Sequence, residues 1–332
     1  MTDVELSIVI PCYNEAAGIE TFWSRLTGAV VPLGLAWEAI FVNDGSTDAT
    51  LEAISRLPAE TGAVQIIDFS RNFGKEAAIT AGLDHARGAA VIIIDADLQH
   101  PPEVIPEMVR LWRQGTEVVL CKRESRDMDS PLRAFLSGLF YKLSSQLFEV
   151  KIPRDVGDFR LLDRAVVDAL SRLRENQRFM KGLFAWIGFP AKAVRYDRAP
   201  RAAGETKWNY WKLWNFSLEG ITSFTVAPLK VATYLGLLTA IGAVIYLAQL
   251  VFRTVFFGNP VAGYPSLLAV VLFLGGVQMM MLGIIGEYLG RIFNETKQRP
   301  LYIAERYSPS RQASRSPSGE HSAAKPGIDA AA

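Results

Sequence analysis

Two cysteines in 332 residues, Cys12 and Cys121, are too few for a disulfide framework and lack the spacing of a thiolate metal site. Both stand in apolar, strand-like runs and read as buried free thiols in a reducing compartment. The glycine-rich phosphate loops are missing as well. No G-x-G-x-x-G follows the first apolar run and no G-x-x-x-x-G-K-[ST] occurs, which disfavours dinucleotide dehydrogenases and P-loop NTPases. The first loop is neither glycine-rich nor basic, which also disfavours a sugar-nucleotide pyrophosphorylase. A net charge of +1 gives no global argument for nucleic acid, and none is expected as a partner. The opening residues MTDVELSIVI have no basic n-region and no cleavage site, so they read as a first strand, with the N-terminal half expected in the cytosol.

What is present centres on residues 91–102, VIIIDADLQHPP. A short continuous apolar run suits a strand buried on both faces. Such a run should not end in Asp95 and Asp97 without compensation, because burying unpaired charge is costly. At positions i and i+2 the two carboxylates point the same way. Hard oxygen donors suit Mg²⁺ or Mn²⁺, and Gln99 can add an amide oxygen. The plainer alternative is a solvated turn carrying two acids.

Strand-like runs at 6–11, 37–42, 64–69, 91–94 and 118–121 alternate with helical patterns, which predicts a doubly wound, mostly parallel α/β sheet. Ligands bind at the carboxyl ends of the strands in such sheets. The polar clusters 11–15, 43–48, 70–75 and 95–99 all fall there. Tyr13, Asn14 and Glu15 suit a nucleoside, with a base to stack and hydroxyls to bind. Gly157 is expected to turn the backbone and present Asp158, and Leu161–Leu173 has helical apolar spacing.

From Val231 to Phe252, and again over 266–286, the chain is uncharged and long enough to span a bilayer. Tryptophans 208, 211 and 214 beside Lys207 and Lys212 mark an interfacial segment. Lysines and arginines flank both spans on their outer ends, while the connection carries only Arg253, so both ends are expected on the cytoplasmic face of the inner membrane. The expected organisation is a cytoplasmic catalytic domain over 1–205 and interfacial amphipathic helices over 206–228. Two spans follow within 229–290, at about 230–252 and 266–287. A cytoplasmic tail over 291–332 is disordered from about residue 308.

The ordered motifs P-x-Y-N-E at 11–15, N-D-G-S-T-D at 43–48 and D-A-D-L-Q-H-P-P-E at 95–103 resemble the family 2 inverting glycosyltransferases of GT-A fold. Residues 5 to about 305 look most like the polyprenyl-phosphate sugar transferases. The resemblance implies an inverting, metal-dependent transfer of a monosaccharide from a nucleotide sugar to a polyprenyl phosphate, such as undecaprenyl phosphate, at the membrane. It implies nucleotide contacts at Pro11, Tyr13, Asn14, Glu15, Asp44, Asp95 and Ala96, with Lys75 a further candidate whose alternative is an ordinary helix-start lysine. Asp97 and Gln99 look like ligands of a Mg²⁺ or Mn²⁺ ion. Arg123, Arg133 and Ser137 match positions that hold the acceptor phosphate, and Arg201 and Lys207 belong to a mobile acceptor loop. Asp158 looks like the general base, or else orients the acceptor or the sugar hydroxyls. The segment 178–189 favours the bactoprenol branch and a UDP-sugar, UDP-glucose above all, over the dolichyl-type branch using GDP-mannose. Some resembled members are tetramers. A processive polysaccharide synthase would want a Q-x-x-R-W motif and more membrane helices. A non-catalytic membrane scaffold would not need the intact acidic and basic clusters.

Overall fold

The computed structural model describes residues 4–58, 63–123, 156–176, 178–196, 227–257 and 263–309. The strands are β1 (Leu6–Cys12), β2 (Trp37–Asn43), β3 (Ala63–Phe69), β4 (Ala90–Ile93), β5 (Val118–Arg123), β6 (Val156–Asp163), β7 (Ala191–Tyr196) and β8 (Ala304–Ser308). They form one sheet in the order β7-β5-β6-β4-β1-β2-β3-β8. The central strands β3, β2, β1 and β4 are parallel, as the alternation of strand and helix predicts. β6 runs antiparallel between β4 and β5, and β8 runs antiparallel along β3.

The helices are α1 (Ile19–Val30), α2 (Thr50–Ser55), α3 (Lys75–His85), α4 (Ile105–Arg113), α5 (Arg164–Ser171), α6 (Met180–Trp186), α7 (Ala227–Phe257) and α8 (Tyr264–Thr296). On α1, Ile19, Phe22, Trp23, Leu26 and Val30 recur at helical spacing and are buried on one face of the sheet. α3 is small-residue-rich and buried nearly all round, from Ala77 to Leu83. A Cβ on Gly82 would lie 2.1 Å from a Val9 methyl, so this glycine lets α3 lie close on β1. β4 feeds both faces, with Ile92 in one core and Val91 and Ile93 in the other. Each such buried isoleucine or valine contributes about 1.5–3 kcal/mol.

Two expectations are corrected here. Gly157 and Asp158 do not form a turn; they lie within β6, and Leu161 to Asp163 continue that strand before α5 begins at Arg164. Helical spacing over 161–173 misled because Leu161 and Leu162 face opposite cores, as successive strand residues do. The segment after the second apolar helix is also more than a tail. β8 closes the β3 edge, Tyr302 stacks on Phe69 with ring centroids 5.2 Å apart, and the Tyr302 hydroxyl donates to Asp84.

α7 and α8 run beyond both ends of the spans read from sequence. At 1.5 Å per residue each is more than 45 Å long, against a hydrocarbon core of ~30 Å. Phe273–Thr296 is long and apolar enough to cross a membrane, and Val231–Tyr246 is a shorter apolar stretch. The helix pair is tied to the sheet-bearing half at Glu295, whose carboxylate accepts the backbone N–H of Asn176 at 3.0 Å.

Candidate functional site

The carboxyl ends of β1, β2 and β4 and the start of α3 enclose a cleft of about 310 Å³. Pro11, Tyr13 and Glu15 line it from the β1 loop, Asp44 from the end of β2, Asn72, Gly74 and Lys75 from the entry to α3, and Asp95, Ala96 and Asp97 from the loop after β4. Open α/β sheets place their ligands at such a position.

The loops are braced against one another. Asn14 takes φ +56°, a conformation asparagine tolerates, and its side-chain oxygen accepts the N–H of Thr47 at 2.9 Å. The N–H of Asn14 donates to Ser46, and that of Glu15 to Thr50. Asp48 accepts the Thr50 N–H at 3.0 Å, at the start of α2. Asp44 accepts the N–H groups of Phe73 and Gly74 at 2.7 and 3.0 Å, which fixes the entry to α3. Burial nevertheless pushes its pKa above the ordinary carboxylate value, against those two bonds. Gly45 stands at φ +62°, where an added Cβ would fall 2.3 Å from the carbonyl carbon of Arg71.

Lys75, the first residue of α3, connects the cleft to β6. Its ammonium lies 2.7 and 2.8 Å from the two oxygens of Asp95 and 2.7 Å from Asp158 Oδ2. Burial works to lower the Lys75 pKa, but the two carboxylates outweigh it and raise it. Burial works to raise Asp158, but the charges of Lys75 and Lys181 and the Lys75 hydrogen bond outweigh it and hold the carboxyl below its usual range. Asp158 Oδ1 is buried without a hydrogen-bond partner. Beside this pair, Glu76 accepts the Met180 N–H; burial first, then the charge of Asp158, pushes Glu76 up to about 8.

Asp97 accepts the backbone N–H of Gln99 at 3.0 Å across Leu98, whose φ of +60° turns the chain back on itself. Gln99 is buried and does not line the cleft. Its neighbour His100, which sequence reasoning left without a role, is buried between Phe159 and Tyr196. One ring nitrogen shares a hydrogen bond of 2.7 Å with the Tyr196 hydroxyl, and the other lies 3.8 Å from Asp95. The signal for it was its place inside the acidic motif.

The structure thus gathers Pro11, Tyr13, Glu15, Asp44, Lys75, Asp95, Ala96 and Asp97 around one cleft, with Asp158 at its edge through Lys75. Asn14 sits in the same loop with its side-chain oxygen on Thr47 and is not part of the lining. Arg123 ends β5, in register with Tyr196 of β7. Arg133, Ser137, Arg201 and Lys207 lie outside the described residues, as do the interfacial segment 206–226 and the tail from residue 310.

The donor set fits a small hard cation only in part on its own. Among the described residues no three His, Cys, Asp or Glu side chains converge as a metal cluster. Asp97 stands on the cleft wall beside Asp95 as a hard oxygen donor.

Residues 7–171 match the model for glycosyl transferase family 2, and residues 227–292 match that for the GtrB C-terminal hairpin. The chain is 51% identical over 300 residues to a glycosyltransferase of Synechocystis sp., covering 90% of this chain and 94% of that one. It is 47% identical over 303 residues to the prophage bactoprenol glucosyl transferase homolog of Escherichia coli, covering 91% and 99%. It is likewise 47% identical over 300 residues to the bactoprenol glucosyl transferase of Shigella phage SfV, covering 90% and 98%.

Proposed function

The chain belongs to glycosyltransferase family 2, with the GT-A architecture, and from that premise we propose that it transfers a hexose from a UDP-sugar, UDP-glucose first among them, to a polyprenyl phosphate with inversion at the anomeric carbon. The observation that carries this reading is the acidic cleft at the strand ends, closed on one side by Lys75 and Asp158. The bactoprenol names of the relatives and the matching hairpin support the lipid acceptor.

In this reading Tyr13 and Pro11 take the base, and Glu15 and Asp44 the nucleoside hydroxyls. Asp97, on the cleft wall, would hold a Mg²⁺ or Mn²⁺ ion together with the donor diphosphate, while the buried Gln99 supports the Asp97 turn through its backbone N–H. Such an ion neutralises charge on the departing diphosphate. Lys75 is the protein's own cation at that place, and it keeps Asp95 and Asp158 from repelling each other. Asp158, held below its usual pKa range, is ionised throughout the working pH range and is a poor proton acceptor. It need not be one, because a phosphate monoester has a second pKa of ~6 and is already mostly dianionic. Asp158 therefore orients the acceptor or the sugar hydroxyls. α7 and α8 span the membrane as a hairpin with both ends on the cytoplasmic side. That arrangement brings an apolar acceptor to a polar donor site, which is catalysis by proximity.

The test is extraction of labelled lipid from purified full-length chain given UDP-[¹⁴C]glucose, undecaprenyl phosphate and Mn²⁺. The expected result is a glucosyl-lipid whose formation stops in chelator. Labelling from GDP-mannose in place of UDP-glucose would move the protein to the mannose branch, and no product from either donor would sink the reading.

A further inference from the structure

Two acids at the junction of α3, β6 and α6 each bury one oxygen that has no hydrogen-bond partner among the described residues: Asp158 Oδ1 and Glu76 Oε2. Buried polar atoms left in that state call for an explanation. The rest of each group is well held. Asp158 Oδ2 lies 2.7 Å from the Lys75 ammonium, and the Gly157 carbonyl before it accepts a bond of 2.7 Å from Arg160. Glu76 follows Lys75 in the first turn of α3, and its carboxyl accepts the N–H of Met180, where α6 begins.

The cations nearby do not account for Glu76 Oε2. Lys75 stands beside it on α3, Arg160 faces it from β6 together with Asp158, and Arg178 and Lys181 face it from the chain around the start of α6. Lys75 is committed to Asp95 and Asp158. Arg160 donates to Gly157 and lies over the Phe184 ring, and Arg178 donates to the Leu173 carbonyl at 2.6 Å. None of the four cations hydrogen-bonds Oε2.

One proton satisfies both oxygens. Two neighbouring carboxyl groups shielded from water do not both ionise; one keeps its proton and gives it to the other as a hydrogen bond. A bond of the O–H···O⁻ kind is among the stronger ones. The surroundings divide the two roles. Burial opposes the charge on Asp158, but Lys75 and Lys181 outweigh it and keep that group ionised. Burial, and then the charge of Asp158, push Glu76 up to about 8.

We propose that Glu76 is a positioning residue for Asp158, donating as a neutral carboxylic acid from Oε2 to Asp158 Oδ1. Lys75 then fixes one oxygen of Asp158 and Glu76 the other, so the carboxylate keeps a single orientation at the edge of the cleft. The effect on turnover rests on the transferase reading above; the hydrogen bond itself does not.

The experiment uses full-length chain in detergent. Glu76→Ala, once a thermal melt confirms folding, should lower kcat on the order of tenfold, the worth of one hydrogen bond to a charged group. Glu76→Gln should rescue it, because the amide oxygen accepts the Met180 N–H and the amide nitrogen donates to Asp158. In the parent chain kcat should fall as pH rises through about 8, where Glu76 releases its proton, and that fall should be absent in Glu76→Gln. Infrared difference spectra of the parent against Glu76→Gln, at neutral pH and without substrate, should show the C=O stretch of a protonated carboxyl. A loss in Glu76→Gln as deep as in Glu76→Ala means that the ionised form is needed and overturns the proposal. Parent-like kcat and pH profile in both variants overturn it and leave the transferase intact. A missing acid band overturns it whatever the turnover. An acid band in a chain that turns over no donor upholds the hydrogen bond and sinks the transferase.

Discussion

Lys75 and Asp158, eighty-three residues apart in the chain, form an ion pair of 2.7 Å that joins the start of α3 to β6. The same ammonium binds Asp95, so one cation is shared by two carboxylates, one from the loop after β4 and one from β6. The acid at the edge of the donor cleft is therefore held by a fixed charge.

Replacing Lys75 should be costly in catalysis. Lys75→Met leaves Asp95 and Asp158 without the ammonium that bridges them, and kcat should fall roughly 10²–10³-fold, the usual loss when a fixed electrostatic partner is removed. Lys75→Arg should recover part of it. Steady-state kinetics on both variants check this, and near-normal kcat in Lys75→Met would exclude the pair from the mechanism.

Asp97 separates catalysis from stability. It stands on the cleft wall, and its substitution should change folding by only about 1 kcal/mol, the loss of its bond to the Gln99 N–H. Asp97→Ala should still lose on the order of 10²-fold or more in kcat and its response to added Mn²⁺. A melt together with a Mn²⁺ titration of activity decides the matter.

Glu76 should imprint a pH dependence on stability. Its folded pKa of about 8 lies above the 4.5 of a free glutamate. Between those values the folded state holds a proton that the unfolded chain has released, so stability falls as pH rises from about 4.5 to 8. Glu76→Gln keeps an oxygen acceptor for the Met180 N–H and removes the titration. Melting temperatures across that window should decline less steeply in the variant than in the parent chain.

Gly45 tests the loop that carries Asp44. At φ +62°, with Arg71 backbone 2.3 Å from any Cβ, Gly45→Ala should cost about 2–4 kcal/mol. The movement should also raise the KM for the nucleotide sugar, because Asp44 fixes the entry to α3. Denaturant melts and donor kinetics on the same sample report both effects.

Tyr302 tests the strand that follows the membrane hairpin. Tyr302→Ala removes the stack on Phe69 and the bond to Asp84 and should cost roughly 2–3 kcal/mol. It should also loosen β8 and expose the β3 edge, which would show as faster hydrogen exchange at residues 66–69.

The sequence by itself determined the alternation of strand and helix, the acids at the strand ends and the two long apolar stretches. These are local patterns, because burial on both faces requires an unbroken apolar strand and a ligand site requires polar residues where it ends. Only the tertiary structure decided which distant residues meet. Lys75 reads as an ordinary helix-start lysine until β6 is laid antiparallel beside β4, which carries Asp158 to within 2.7 Å of it. Asp158 itself looked like part of a turn, since a glycine before an acid is the local signature of one; the pairing of β6 with β4 and β5 overrode that preference with ladder hydrogen bonds. β8 was illegible for the same reason. Its five exposed residues, Ala304–Ser308, have no strand pattern of their own, and they become a strand because the β3 edge offers them unpaired backbone groups.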